Sequence, residues 1–134
     1  MRTLLTWLLT NISNTGYAAK TLLNGKAAAA CEVLFEVFTE GKFPIDLQTA
    51  ECLYTGISTD TGCFRFENTT PRCHEIVAKL MGYGIPYAKI NRELFEIKSR
   101  ARLTVEQHVI NSMEMYLDDK CAVIAVTSDM IAET

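Results

Sequence analysis

A succession of amphipathic helical patterns, interrupted by glycine and proline, constrains the fold of this chain most. In residues 26–40 apolar side chains recur at helical spacing, and Gly41 ends the run. Asp46 and the pair Thr70-Pro71 each precede a further pattern of this kind, and all three are residues that commonly begin helices. The sequence therefore predicts a helix-rich chain in which each helix buries one apolar face.

The later part of the chain continues these patterns and then changes character. Pro86 opens another helix, and a further helical pattern follows the charged stretch at residues 98–102. Residues 118–120 predict a turn, and residues 121–127 predict a short apolar strand. Near the start only residues 17–23 indicate an extended segment, so the later strand has no sequential partner and its hydrogen-bonding groups stay unpaired. Isolated strands in a helix-rich chain indicate that the chain is part of a larger α/β protein.

Composition and charge exclude several classes of protein. The 134 residues are 49% hydrophobic and 22% charged, which is typical of one soluble globular domain. A net charge of −3 gives no global basic field to attract nucleic acid or an acidic membrane. The apolar run at residues 4–9 is too short to span a bilayer, and no signal-peptide cleavage pattern follows it. The 5 cysteines include no C-x-x-C pair and predict free thiols in a reducing cytoplasm.

Residues 55–64, Thr-Gly-Ile-Ser-Thr-Asp-Thr-Gly-Cys-Phe, carry the most distinctive chemistry. They place Asp60 between two glycines and among hydroxyl residues, directly after a helical pattern. Small residues let a phosphate or a metal ion approach the backbone, while hydroxyl and amide groups fix the orientation of a carboxylate. The competing interpretation is a helix C-terminus followed by a tight turn, because turns favour the same residues.

This segment and three other blocks resemble the DHH phosphoesterase family, in particular the branch that acts on very short RNAs (nanoRNA) and on 3′-phosphoadenosine 5′-phosphate. Residues 12–18, Ile-Ser-Asn-Thr-Gly-Tyr-Ala, resemble those that follow the family's Asp-His-His signature. Residues 26–32 resemble the following helix, and residues 53–70 resemble the last metal-binding motif and its sequel. Residues 90–103 resemble the connector to the family's second, substrate-binding domain.

The resemblance implies an α/β fold, with the helix-rich part of a DHH domain in which helices flank a parallel sheet, then a connector helix and the first strand of a second domain. Residues 1–11 are then an atypical N-terminal segment, and residues 12–97 are the C-terminal part of the DHH catalytic domain. Residues 98–117 form the connector helix, and residues 118–134 begin a truncated substrate-binding domain of the DHHA1 type. The implied chemistry is hydrolysis of short oligoribonucleotides or 3′,5′-bisphosphonucleotides with Mn²⁺ in the cytoplasm.

The resemblance also implies roles for individual residues. Asp60 is the implied metal ligand, oriented by its two threonine neighbours, and no catalytic residue is assigned. Two metal ions would neutralise phosphate oxygens and generate hydroxide near neutral pH. The implied substrate-binding residues are Ser13, Asn14, Thr59, Thr61 and Arg65.

The chain departs from the family at the other metal motifs. Residues 9–11 read Leu-Thr-Asn where Asp-His-His is expected, no His-x-Asp-x-Asp occurs, and the histidines are His74 and His108. One carboxylate cannot assemble a dinuclear site, so we expect this chain to lack the family activity by itself. A one-base slip converts codons for Ile-Asp-His into codons for Leu-Thr, which predicts a shifted reading frame for residues 1–11.

Two functions of other classes remain open. The chain could be a non-catalytic remnant that acts as a homodimerisation unit, or a nucleotide-binding module that lacks the metals. The basic residues between 92 and 102 could steer an anionic nucleotide, or could pair with neighbouring glutamates on a solvated surface. Phe64 and Phe66 could stack on bases, or could pack one face of an extended segment on the core. The expected partner is a short RNA or nucleotide and not a membrane.

Overall fold

The computed structural model of the chain describes residues 7–10 and 20–132. It forms two compact units, one ending at Phe95 and the other beginning at Glu96. In chain order the elements are β1 (Trp7–Thr10), β2 (Lys20–Leu23), α1 (Ala30–Glu40), α2 (Leu47–Asp60), α3 (Pro71–Met81), α4 (Tyr87–Asn91), a π-helical turn (Arg92–Glu96), α5 (Arg100–Asn111), β3 (Glu114–Tyr116), β4 (Cys121–Val123) and α6 (Ser128–Ala132).

Side-chain caps begin two of the predicted helices, as their sequences indicate. The Oδ1 atom of Asp46 accepts a hydrogen bond from the backbone N–H of Thr49 at 2.8 Å and so caps α2. The Oγ1 atom of Thr70 accepts from the N–H of Cys73 at 3.1 Å and caps α3, which has a proline at its first position. Each cap satisfies a helical donor that has no partner within its helix, an effect of about 1 kcal/mol.

The core of the first unit lies among α1, α2 and α3. Each helix turns one apolar face inward, and α2 and α3 provide most of the fully buried side chains. Complete burial of one such side chain stabilises the fold by about 1.5 to 3 kcal/mol. The buried residues include Val33 and Phe35 on α1, Leu53, Tyr54 and Ile57 on α2, and Cys73, Ile76 and Leu80 on α3.

A buried glutamate, which the sequence pattern did not predict, fixes the start of α1. Ala29, the residue before the first residue of α1, has no side chain that could cap the helix. The Oε1 atom of Glu32 instead accepts the N–H of Ala28 at 3.1 Å, and only 2% of Glu32 is exposed. Burial raises the pKa of Glu32. Burial, followed by the facing charge of Glu32, raises the pKa of the Cys73 thiol to about 11.

Two strand pairs correct the expectation of isolated strands. β1 and β2 pair in parallel, with Trp7 opposite Lys20 and Thr10 opposite Leu23. β1 lies in a short apolar run, for which periodicity alone does not separate strand from helix. Of the predicted extended segment at residues 17–23, residues 17–19 lie outside the described part of the chain.

β3 and β4 form an antiparallel hairpin, so the later strand does have a sequential partner. It ends at Val123 and is shorter than the predicted strand at residues 121–127. The predicted connector helix at residues 98–117 is also shorter, because α5 ends at Asn111 and β3 occupies Glu114–Tyr116. The assignment of domains to these segments stays a prediction. Within the described ranges, no helix combines the length and apolarity needed to cross a bilayer.

Candidate functional site

Asp60 is the last residue of α2, and its side chain is exposed. The carbonyl end of a helix carries a partial negative charge. A carboxylate at that end strengthens the negative potential and so favours a nearby cation. Asn68 supports this end of the helix, because its Nδ2 atom donates to the backbone carbonyl of Asp60 at 3.1 Å.

The threonines beside Asp60 bond to the helix backbone. The Oγ1 atom of Thr59 donates to the carbonyls of Thr55 and Gly56, both at 3.0 Å. The Oγ1 atom of Thr61 donates to the Ile57 carbonyl at 2.7 Å, and Thr61 is fully buried. These bonds close the last turn of α2 without passing through the carboxylate of Asp60. Because Thr61 is buried, its hydroxyl is not available to a substrate in this conformation.

Residues 62–64 reverse the chain with a left-handed backbone. The φ angles are 56° at Gly62, 58° at Cys63 and 64° at Phe64. A left-handed conformation costs an L-residue other than glycine about 1 to 2 kcal/mol. Hydrogen bonds offset this cost: the N–H of Cys63 donates to the Ser58 carbonyl at 2.7 Å, and the N–H of Phe64 donates to Thr61 Oγ1 at 3.2 Å.

The turn gives the two phenylalanines of this segment different surroundings. The ring centroid of Phe64 lies 6.2 Å from that of Tyr54 and 5.4 Å from that of His74, which is exposed. Phe66 is 57% exposed, and its ring lies over Gly62, where an added Cβ would collide with it. The predicted alternation along an extended segment is therefore wrong, because the backbone turns instead of extending.

Arg65 is exposed, and two contacts within the first unit fix its side chain. Its Nε atom donates to the Gly62 carbonyl at 2.7 Å, and its guanidinium carbon lies 6.0 Å from the centroid of the Phe95 ring. No described residue forms a salt bridge with Arg65. Its Nη atoms have no hydrogen-bond partner in the part of the chain that the structure describes. They are therefore available to an anion.

A side-chain network holds the last turns of α2 against α4. The Oγ atom of Ser58 donates to Asn91 Oδ1 at 2.9 Å, and Asn91 Nδ2 donates to the hydroxyl of Tyr54 at 2.8 Å. Ser58 and Tyr54 are buried, so each would otherwise leave a polar group without a partner. Local patterns could not predict Asn91 as a support of the site, because its partners lie 33 and 37 residues away in sequence.

Gly56 lets α1 approach the same end of α2. A Cβ at this position would collide with the Sγ atom of Cys31 on α1. Burial raises the pKa of the Cys31 thiol, and the negative charge of Asp60 adds to this effect. The helix contact therefore brings Cys31 into the electrostatic field of Asp60.

Two of the predicted substrate-binding residues are not described by the structure. Ser13 and Asn14 lie outside the described residues, so their proposed role stays a prediction. In the second unit, the Nζ atom of Lys98 lies 2.6 Å from Glu106 and the Nε atom of Arg102 lies 3.0 Å from it. Pairing of these basic residues with glutamate is confirmed.

The donor set around Asp60 does not fit a pair of manganese ions. Across residues 7–10 and 20–132, no group of three His, Cys, Asp or Glu side chains is placed to hold one metal ion. Two hard cations need several oxygen or imidazole ligands. The described residues therefore offer one carboxylate of such a centre, and any further ligands would have to come from elsewhere.

Comparison with known proteins gives sequence relatives for part of the chain. No family model matches. The bifunctional oligoribonuclease and PAP phosphatase NrnA of Bacillus subtilis is 32% identical over 75 residues, which cover 54% of this chain and 24% of that protein. The corresponding Thermus thermophilus protein is 47% identical over 47 residues, which cover 35% of this chain and 14% of that protein. Over these residues the chain is similar to DHH phosphoesterases.

A solved structure shares the fold of this chain. An exopolyphosphatase-related protein from Bacteroides fragilis superimposes with a TM-score of 0.83 at 24% identity, covering 95% of this chain and 38% of that chain. This likeness shows the mixed arrangement of helices and small sheets. The chain spans about a quarter or less of the length of these curated relatives.

Proposed function

We propose that this chain provides one metal ligand and part of the substrate-binding surface of a DHH phosphoesterase that hydrolyses short oligoribonucleotides or 3′,5′-bisphosphonucleotides. The observation that carries the proposal is the exposed Asp60 at the carbonyl end of α2, on a turn fixed by backbone hydrogen bonds. The chain alone is inactive in this proposal, because one carboxylate cannot hold and align two cations.

Several finer features belong to the same proposal. β1 and β2 would form part of a parallel sheet flanked by helices, and their parallel pairing supports this. The metal would be Mn²⁺, since a hard divalent cation suits a carboxylate ligand. The site would act in the cytoplasm, which agrees with the free thiols of the described cysteines.

Hydrolysis of a 5′-phosphorylated RNA dinucleotide with Mn²⁺ tests the proposal. We expect no turnover by the chain alone, and we expect weak Mn²⁺ binding in calorimetry that Asp60→Ala removes. Asp129→Ala, a matched loss of an exposed aspartate in the second unit, should leave that binding unchanged. Equal Mn²⁺ binding by the Asp60→Ala variant would exclude Asp60 as the ligand. Turnover by the unmodified chain would exclude the proposed inactivity.

Homodimerisation is the second candidate, and exposed apolar side chains favour it. In the second unit Leu117 is 75% exposed, and Ile110, Ile124 and Val126 are also exposed. Exposed apolar surface of this kind favours association. A concentration-dependent oligomer that ignores Mn²⁺ would support this candidate over the enzymatic one.

A further inference from the structure

We propose that Arg65 and Phe66 form a binding ledge for one nucleotide of a short single-stranded RNA. The base would stack on the ring of Phe66, and the guanidinium of Arg65 would bind a phosphate. The inference rests on the proposed function, because it states how the surface beside Asp60 would hold its substrate.

The ring of Phe66 has the exposure and the support that a stacking platform requires. The ring is 57% exposed, although burial of a phenylalanine side chain would stabilise the fold. Its outer atoms lie over Gly62, so close that the Cβ atom of an L-residue at that position would collide with them. A ring supported on one side and open to solvent can receive a base without reordering. Stacking of this kind tolerates any base, because every base has a π face.

Arg65 offers an anion-binding group that is already positioned. Its Nε atom is held by the Gly62 carbonyl, and the plane of its guanidinium is near the ring of Phe95. These contacts leave the Nη atoms free among the described residues, and a guanidinium presents such atoms to phosphate as a fork. The exposed Glu67 next to this segment makes no salt bridge with Arg65, so its charge does not occupy the fork.

Gly62 connects both halves of the ledge to Asp60. Its carbonyl holds Arg65, its Cα lies under Phe66, and it follows Asp60 by two residues. The left-handed backbone at Gly62 and at the next two residues brings these groups to one turn. A phosphate and its base would therefore bind beside the carboxylate that the proposed function assigns to the metal.

Binding without metal tests the ledge separately from hydrolysis. In EDTA, calorimetry compares a 5′-phosphorylated adenosine RNA dinucleotide with ribose 5-phosphate, which has no base. We expect the dinucleotide to bind more tightly. Phe66→Leu should weaken dinucleotide binding by about fivefold or more and leave ribose 5-phosphate binding unchanged. Phe43→Leu is the matched control, since Phe43 is 55% exposed and its ring packs edge-to-face against Phe38 of α1, and it should change neither affinity.

Two further variants separate stacking and phosphate binding from a general loss of structure. Phe66→Trp keeps an aromatic face and should retain dinucleotide binding, whereas Arg65→Gln should weaken both probes. The proposal is overturned if the unmodified chain binds neither probe, if both probes bind equally, or if Phe66→Leu and Phe43→Leu behave alike. Because no metal is present, Mn²⁺ binding that does not depend on Asp60 would overturn the proposed metal ligand and leave this result unaffected, and the reverse is also true.

Discussion

At the scale of single residues, the missing side chain of Gly56 decides how closely α1 meets α2. We expect Gly56→Ala to lower the free energy of unfolding by about 1 to 3 kcal/mol, because the new methyl group would collide with Cys31 Sγ. Urea denaturation followed by circular dichroism measures this loss.

The double variant Cys31→Ala/Gly56→Ala provides the control for that collision. With the sulfur removed, alanine at position 56 should cost much less, because only the 3.2 Å approach to the Cβ atom of residue 31 remains and alanine favours a helix over glycine. An equal loss in both backgrounds would mean that the contact with Cys31 is not the cause.

At the scale of elements, Glu32 and Cys73 connect α1 and α3 through a buried contact that responds to pH. Burial raises the pKa of Cys73 from 9.0 to about 11, so the folded state retains its proton more strongly than the unfolded state. The resulting stability is fully present below pH 9 and is lost as pH rises through about 11. The Cys73→Ala variant has no thiol to titrate and should not show this loss. Between pH 9 and about 11, the difference in the free energy of unfolding between the original protein and this variant should therefore shrink.

Glu32→Gln extends the test to the other member of the pair. The same experiment at lower pH should show the original protein losing stability relative to this variant as pH rises above 4.5, because the pKa of Glu32 is also raised in the fold. Parallel stability curves for the three proteins would contradict a buried titrating pair.

The same elements show what the sequence could and could not predict. Asp46 and Thr70 were predicted as caps because helix starts depend on neighbouring residues, and the structure confirms both. The sequence singles out Asp60 because its motif is local, and its role as a metal ligand stays a prediction. The contacts of Asn91 with Ser58 and Tyr54 were not predicted, since they join residues distant in sequence. The short apolar strands could not be predicted for a different reason: their few residues fit helix and strand equally well.

At the scale of the whole molecule, burial is distributed unequally between the two units. Among the residues whose burial the structure describes, every buried side chain lies before Phe95, and α5, β3 and β4 contribute none. Regions with few buried apolar contacts open at lower free energy than a packed core. We therefore expect amide hydrogen exchange to be slow in α2 and α3. It should be faster in α5, where local opening exposes the amides more often.

Mass spectrometry of deuterated peptides measures this difference directly. Peptides from α2 provide the protected reference, and those from α5 and the β3–β4 hairpin report on the second unit. Equal protection in both sets would show that the residues from Glu96 onward are stabilised by contacts that the distribution of burial does not reveal.

The turn after Asp60 also has a stereochemical consequence. Its φ angles, between 56° and 64° at residues 62–64, are unfavourable for L-amino acids. By mirror symmetry they are the angles that D-amino acids prefer. A chain assembled by peptide ligation could therefore carry a D-residue at position 62 with its backbone already in the preferred well. Inverted chirality is thus a way to stiffen the surface beside Asp60 that no substitution among the genetically encoded amino acids provides.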